Sequence, residues 1–119
     1  MIDPSRIKGW HAHIYYDAIS RPRAAALREA VEQRFNVRMG RWHDVPVGPH
    51  PTAMYQIAFE ADEFPTLAPF LALNQMGLTI LLHPESGRPL DDHTINAVWM
   101  GEKLPLVTKI LPEVSRDNG

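Results

Sequence analysis

The sequence predicts an α+β fold in which an antiparallel sheet carries its helices on one face. Short segments alternate apolar and polar residues with the period of strands, and two longer segments repeat their apolar residues at helical spacing. The segments follow as strand, helix, strand, strand, helix, strand, which is the split βαβ order of ferredoxin-like folds. One extra strand follows, and we expect residues 1–119 to form a single domain.

The first predicted strand covers residues 10–16 and has two chemically different faces. Ala12 and Ile14 lie on one face, whereas His11 and His13 lie on the other, since residues two apart in a strand point the same way. If the apolar face packs against the helices, the histidines face away from them. In the split βαβ order this strand is central and lies beside the third. The face that carries the histidines then needs cover from a tail, a partner subunit or a ligand.

Two helices are predicted, at 22–35 and at about 63–75. Ser20 stands where an N-cap is expected, and the apolar residues after it have helical spacing. The second helix ends before Gly77, a suitable C-cap, but contains Pro69, so we expect a kink or a later start. The remaining predicted elements are strands at 37–42, 53–60, 78–82 and 95–100, loops at 44–51 and 84–92, and a helical turn near 105–110.

The composition argues against several classes of function. The net charge is −2, which leaves no basic excess for binding nucleic acid. No apolar run approaches the roughly 20 residues that span a bilayer, and the first residues do not resemble a secretory signal. We therefore expect no nucleic-acid or membrane partner and a cytoplasmic location. The chain has no cysteine, so thiolates do not compete as metal ligands.

Histidine is the most informative residue type in this chain. Six occur in 119 residues, and the predicted sheet brings four of them towards one end or face. These four are His11 and His13 on the first strand, His50 before the third strand, and His83 after the apolar run at 78–82. Imidazole is the commonest metal ligand and titrates near neutrality. Each residue alone is most simply a polar residue at a strand edge, but the convergence of the set favours a metal or acid–base site.

The other two histidines and the acidic residues give weaker signals. His43 precedes Asp44, and His93 follows Asp91 and Asp92, so a carboxylate could orient either ring, although a surface position fits equally well. No carboxylate stands out as a third metal ligand, as a site of two histidines and one carboxylate would need. The candidates by position alone are Asp44, Glu60, Glu85 and Asp92. Several aromatic residues could pack in a core or form the wall of a planar ligand's site: Trp10, Tyr15, Trp42, Tyr55 and Trp99.

Five motifs follow one another along the chain: HAHIYY, GRWHDVPVGPHP, LLHPESG, DDH and AVWMG. Together they resemble the DOPA 4,5-dioxygenase family, over about residues 10–104. The resemblance implies a ferredoxin-like fold, a homodimer, and extradiol cleavage of L-DOPA or another catechol by O2 at a non-haem iron. Fe(II) is the expected cofactor, and purified protein could carry zinc or nickel, because both compete well for imidazole sites.

Under this hypothesis the histidines take different roles. As metal ligands we predict His13, His50 and His83. As catalytic residues we predict His11, which could also be a ligand, and His93 or His43 as outer acid–base groups. Two alternatives remain open. One is a non-catalytic dimeric ferredoxin-like module that binds a metal or a small aromatic ligand, and the other is a dimer whose histidines pair across the interface as a pH switch.

Overall fold

A computed structural model describes residues 1–115 and has the predicted ferredoxin-like architecture. Within these residues one antiparallel sheet contains β1 (Trp10–Tyr15), β2 (Arg38–Met39), β3 (Met54–Phe59), β4 (Thr79–Pro84) and β5 (Val98–Met100). The α-helices are α1 (Arg21–Arg34), α2 (Phe64–Leu73) and α3 (Pro89–His93), and short 3-10 helices lie at Pro4–Arg6, Ala61–Glu63 and Thr108–Ile110. The spatial strand order is β2-β3-β1-β4-β5. β1 and β3 are therefore adjacent, as predicted, and β5 is the extra strand beside β4.

The main core lies between the sheet and the first two helices. Ala12 and Ile14 of β1 are fully buried there, together with Leu27 of α1 and Leu71 of α2. Both helices begin with a proline in their first turn, where no backbone hydrogen bond is lost. Ser20 occupies the N-cap of α1 as predicted, but its hydroxyl accepts a hydrogen bond from the Asp17 amide instead of capping the helix.

The C-terminal segment covers part of the opposite sheet face. Leu104 and Leu106 pack on a second buried cluster that contains Tyr15 and Leu81. The Val107 amide also donates a hydrogen bond of 2.8 Å to the Pro49 carbonyl. Of the three forms of cover that we considered, the tail supplies at least this part. A homodimer stays a prediction, and it now rests mainly on the family resemblance.

Some element boundaries differ from the predictions in ways that affect the site. β4 continues to Pro84, two residues beyond the predicted end, so His83 lies inside the strand. The predicted loop at 84–92 contains most of α3, a helix too short to show a periodic apolar pattern. β5 begins at Val98 instead of residue 95, because the Thr94 and Asn96 amides both donate to the Asp91 carbonyl and form a turn there.

Two further differences lie outside the site. β2 spans only Arg38–Met39, and the chain rejoins the edge of β3 as an isolated bridge between His43 and Met54. α2 starts at Phe64 and ends at Leu73, with Pro69 inside it. Among residues 1–115, no helix is both long enough and apolar enough to cross a bilayer.

Candidate metal and acid–base site

The strand register places three histidines together on the sheet face that α1 and α2 do not cover. His11 pairs directly with His83 across the β1–β4 ladder, and His13 lies two residues further along β1 on the same face. One ring nitrogen from each lies within 4.8 Å of the other two. His13 and His83 are buried, whereas the His11 side chain is 27% exposed. Of these three rings, that of His11 is therefore the most exposed to solvent.

Two more histidines join this group from outside the sheet. His50 ends a tight turn in which Gly48 has a φ of +57°, a conformation that favours glycine. Its ring centroid lies 4.1 Å from that of His13. His93 is the last residue of α3, and its ring centroid lies 4.0 Å from that of His83. We call these five residues, His11, His13, His50, His83 and His93, the histidine cluster.

His43 is placed apart from the histidine cluster. It lies at the end of β3, where its backbone pairs with that of Met54, and its ring is half-buried. It is near enough to His50 for its charge to lower the pKa of that residue, although burial and the charge of His93 have larger effects. The structure thus brings together five of the six histidines that we predicted for the site and leaves His43 at its margin.

Backbone carbonyls determine which ring nitrogen carries the proton in two of these residues. Nδ1 of His83 lies 3.0 Å from the Pro84 carbonyl oxygen, and Nδ1 of His93 lies 2.7 Å from that of Pro89. A carbonyl oxygen can only accept, so each Nδ1 carries a hydrogen and donates it. In the neutral ring, Nε2 then has a free lone pair. Histidines that bind metals are usually oriented by such a hydrogen bond.

Glu85 gives His11 an equivalent partner. Its Oε1 lies 2.8 Å from His11 Nδ1 and 3.8 Å from His83 Nδ1. Burial alone would raise the pKa of Glu85, but the hydrogen bond from His11 and the neighbouring histidine charges lower it overall. The other candidate carboxylates have different partners: Asp44 contacts Tyr16 and Arg21, Glu60 contacts Arg38, and Asp92 contacts Ser86. Sequence position alone could not show which of these four carboxylates contacts the histidine cluster.

The nitrogen geometry fits a shared metal ion. Nε2 of His13 and Nε2 of His83 are 3.0 Å apart. Two imidazole nitrogens about 2.1 Å from one ion stand about 3 Å apart when they occupy neighbouring positions at roughly a right angle. Without an ion, His13 must donate its Nε2 hydrogen to His83, and its Nδ1 is buried with no hydrogen-bond partner among residues 1–115. Protein groups alone therefore do not satisfy all the hydrogen-bonding nitrogens of His13 and His83.

The electrostatics favour the neutral rings that a metal requires. Burial, assisted by the charges of neighbouring histidines, lowers the pKa of His13 well below its ordinary value. Burial is also the main reason why the pKa falls to about 4 in His50 and to about 3 in His83. These three rings are consequently unprotonated at neutral pH and available as ligands or as proton acceptors.

Tyr15 is a site residue to which we gave no polar role from the sequence. Its hydroxyl lies 2.6 Å from His50 Nδ1, and burial raises its pKa, so the phenol keeps its proton. The same alternation that groups His11 with His13 places Tyr15 on their face of β1. That alternation was the available signal, but it could not show that the hydroxyl meets the loop that carries His50.

The chain is therefore a small ferredoxin-like protein with a candidate metal site, which neutral histidines form on one face of the sheet. This chain belongs to the Dopa 4,5-dioxygenase family, whose sequence model matches residues 10–110. The family assignment and the ferredoxin-like fold that we predicted are thereby confirmed.

Individual relatives agree with this assignment. A DOPA 4,5-dioxygenase of Amanita muscaria is 35% identical over 117 residues, which cover 91% of this chain and 51% of that protein. An uncharacterized 21.2 kDa protein of Botryotinia fuckeliana is 37% identical over 115 residues, 86% of this chain and 63% of that one. The chain thus spans between half and two thirds of these curated relatives. The crystal structure of a candidate dioxygenase from Nostoc punctiforme, at 1.46 Å resolution, is 46% identical with a TM-score of 0.91, covering 92% of this chain and 96% of that one.

Proposed function

We propose that this protein is a non-haem Fe(II) dioxygenase that opens the ring of L-DOPA or another catechol by extradiol cleavage with O2. The observation that carries the proposal is the set of three histidine nitrogens within 4.8 Å of one another, in a chain that belongs to the Dopa 4,5-dioxygenase family. Imidazole ligands suit iron, and also zinc and nickel, which could occupy the site in purified protein.

The proposed metal ligands are His11, His13 and His83. This set differs from the sequence prediction in one residue, because we had placed His50 among the ligands and His11 with the catalytic groups. Two contacts favour His11: its nitrogen belongs to the convergent set, and Glu85 fixes its ring. The nitrogens of His50 lie outside that set, although its ring centroid is 4.1 Å from that of His13. When bound, Fe(II) would supply a centre that brings catechol and O2 together and overcomes the spin barrier to their reaction.

His93 is the proposed acid–base residue. Its Nδ1 hydrogen is donated to the Pro89 carbonyl, so in the neutral ring the Nε2 lone pair can accept a proton from a catechol hydroxyl. The protonated ring can later return that proton to an oxygen of the reacting ring. His50 and the Tyr15 hydroxyl form a second, buried pair that can hold a proton beside His13. We propose no direct role for His43.

The remaining parts of the proposal concern the state of the protein in the cell. We propose a homodimer in the cytoplasm, as the family resemblance and composition led us to expect. Sedimentation velocity over a range of protein concentrations checks the dimer, and a monomer at all concentrations would contradict it.

O2 uptake tests the proposed activity. The protein is loaded anaerobically with Fe(II), its metal content is measured, and L-DOPA, caffeate and protocatechuate are added separately. We expect iron-dependent uptake of O2 and a new visible absorbance from a yellow, ring-opened product with at least one of them. A protein that holds iron and consumes no O2 with any catechol would favour the non-catalytic binding module instead. A protein that retains no metal would contradict the histidine site itself.

A further inference from the structure

A cavity of about 440 Å³ lies beside the histidine cluster, between α3 and the C-terminal segment. His93 forms part of its wall, and Trp99, Leu104 and Leu106 also line it. Its volume falls within the range of small-molecule sites, and an apolar lining with a few polar groups is typical of them. The cavity can therefore accept one substituted aromatic ring.

Contacts connect this cavity to the histidine cluster on two sides. The ring of His93 lines the cavity and also lies 4.0 Å from the ring of His83. Trp99 stacks on Tyr15 with a centroid distance of 6.0 Å and an interplanar angle of 19°. Tyr15 in turn contacts His50 through its hydroxyl. A catechol in the cavity would thus have its ring beside Trp99 and its hydroxyl groups towards His93.

The charge of the cavity lining indicates which substituted catechols could bind there. Lys103 lines the cavity, is exposed, and forms no ion pair with any side chain of residues 1–115. None of the described lining residues is acidic. A carboxylate on the substrate would therefore find a cationic partner, whereas an ammonium group would find no anion and would be repelled by Lys103.

We propose that the substrate is a catechol with a carboxylate and no ammonium group, and that Lys103 binds this carboxylate while Trp99 contacts the ring. The proposal rests on the proposed dioxygenase function and makes it more specific. L-DOPA, which carries both charges, is then a poorer substrate than its analogue without the amino group.

Four catechols with matched side chains separate the two charges. They are 3,4-dihydroxyphenylpropanoate with the carboxylate only, L-DOPA with both groups, dopamine with the ammonium only, and 4-ethylcatechol with neither. For the Fe(II)-loaded protein we expect the propanoate to have a kcat/KM about tenfold or more above 4-ethylcatechol and dopamine, as one charge-assisted hydrogen bond would give. Its kcat/KM should also exceed that of L-DOPA, because Lys103 repels the ammonium group. Equal kcat/KM values for the propanoate and 4-ethylcatechol would overturn the proposal.

Substitutions of Lys103 test whether this residue causes the preference. Lys103→Gln should lower kcat/KM for the propanoate to the level of 4-ethylcatechol. Lys103→Arg keeps the charge and should keep the preference. Lys109→Gln removes an exposed lysine that does not line the cavity, and it should behave as wild type. A Lys103→Gln variant that retains the preference would overturn the assignment.

Binding to the metal-free protein keeps this proposal separable from the proposed activity. The fluorescence of Trp99 should be quenched by the propanoate under anaerobic conditions, and the quenching should be absent in Trp99→Phe. If no catechol is turned over but the propanoate still binds more tightly than L-DOPA and requires Lys103, the activity is wrong and the anion-selective cavity stands. If the propanoate and L-DOPA bind with equal affinity, the cavity assignment is wrong whatever the activity.

Discussion

At the scale of single residues, the candidate site depends on hydrogen bonds that hold each imidazole in one orientation. Glu85 makes the most testable of them, because its carboxylate contacts His11 Nδ1 at 2.8 Å. We expect Glu85→Gln to weaken metal affinity by about 10- to 100-fold, as is typical when such an outer partner is replaced. Titration of the metal-free protein with Co(II), followed by visible absorbance, measures the affinity. Glu102→Gln, at an exposed acid, is the matched control, and equal affinities in the two variants would contradict the role.

The ligand assignment gives a second prediction at this scale. His13 is buried in the histidine cluster, whereas His43 lies at its margin. We expect His13→Ala to lose bound metal to near background and His43→Ala to retain it, since only the first removes a convergent nitrogen. Elemental analysis after dialysis against metal measures the content, and a thermal melt checks that both variants fold. Full metal content in His13→Ala would contradict the proposed site.

Some of these residue positions could be predicted from the sequence, and others could not. Strand alternation was enough to place His11 and His13 on one face, because side-chain direction along β1 follows from a period of two. It could not choose between His11 and His50 as a ligand, since that depends on how close each ring nitrogen lies to those of His13 and His83. It could not single out Glu85 either, because the contact arises where the chain leaves β4 and has no periodic signature.

At the scale of elements, α3 and the turn before it position both Glu85 and His93. Asp92 holds this region together from a buried position: its carboxylate accepts hydrogen bonds from the Ser86 amide at 2.8 Å and from the Ser86 hydroxyl at 2.6 Å. The sequence predicted this stretch as a loop, since five helical residues are too few to show an apolar period. The long elements β1, β3 and α1 were predictable because their patterns extend over several residues.

Substitution of the two neighbouring aspartates tests this element. Asp92→Asn keeps the side-chain shape but replaces an accepting oxygen with a donor, and we expect the free energy of unfolding to fall by about 1–3 kcal/mol. Asp91→Asn removes an exposed pair with Arg88 and should change it by less than about 1 kcal/mol. Urea denaturation followed by circular dichroism measures both. Equal effects would show that Asp92 does not hold the segment.

At the scale of the whole molecule, the buried histidines make the stability of the metal-free protein depend on pH. Burial lowers the pKa of His13, His50 and His83 in the folded chain, whereas their ordinary value is 6.5. Below pH 6.5 the unfolded chain therefore binds more protons than the folded one, and stability falls as the pH falls. The loss continues until the folded histidines protonate, which for His50 is at about pH 4.

We expect each such histidine to contribute a slope of up to about 1.4 kcal/mol per pH unit in this range. Denaturant midpoints of the metal-free protein between pH 7 and pH 4.5, measured at a fixed ionic strength, check this expectation. His50→Gln should have a shallower slope than wild type, because one of the three groups is removed. A stability that does not change below pH 6.5 would contradict the neutral, buried state of the histidine cluster.

We propose that this fold and its histidine cluster support extradiol cleavage of a catechol by O2. The most direct measurement is mass spectrometry of the product formed from 3,4-dihydroxyphenylpropanoate or L-DOPA by the Fe(II)-loaded protein under ¹⁸O2. We predict a ring-opened semialdehyde that is absent without iron and carries two labelled oxygens, one in the new carboxylate and one in the aldehyde, when it is trapped before the aldehyde oxygen exchanges with water. A ring-opened dicarboxylate, or an unlabelled quinone formed with consumption of O2, would contradict the proposal.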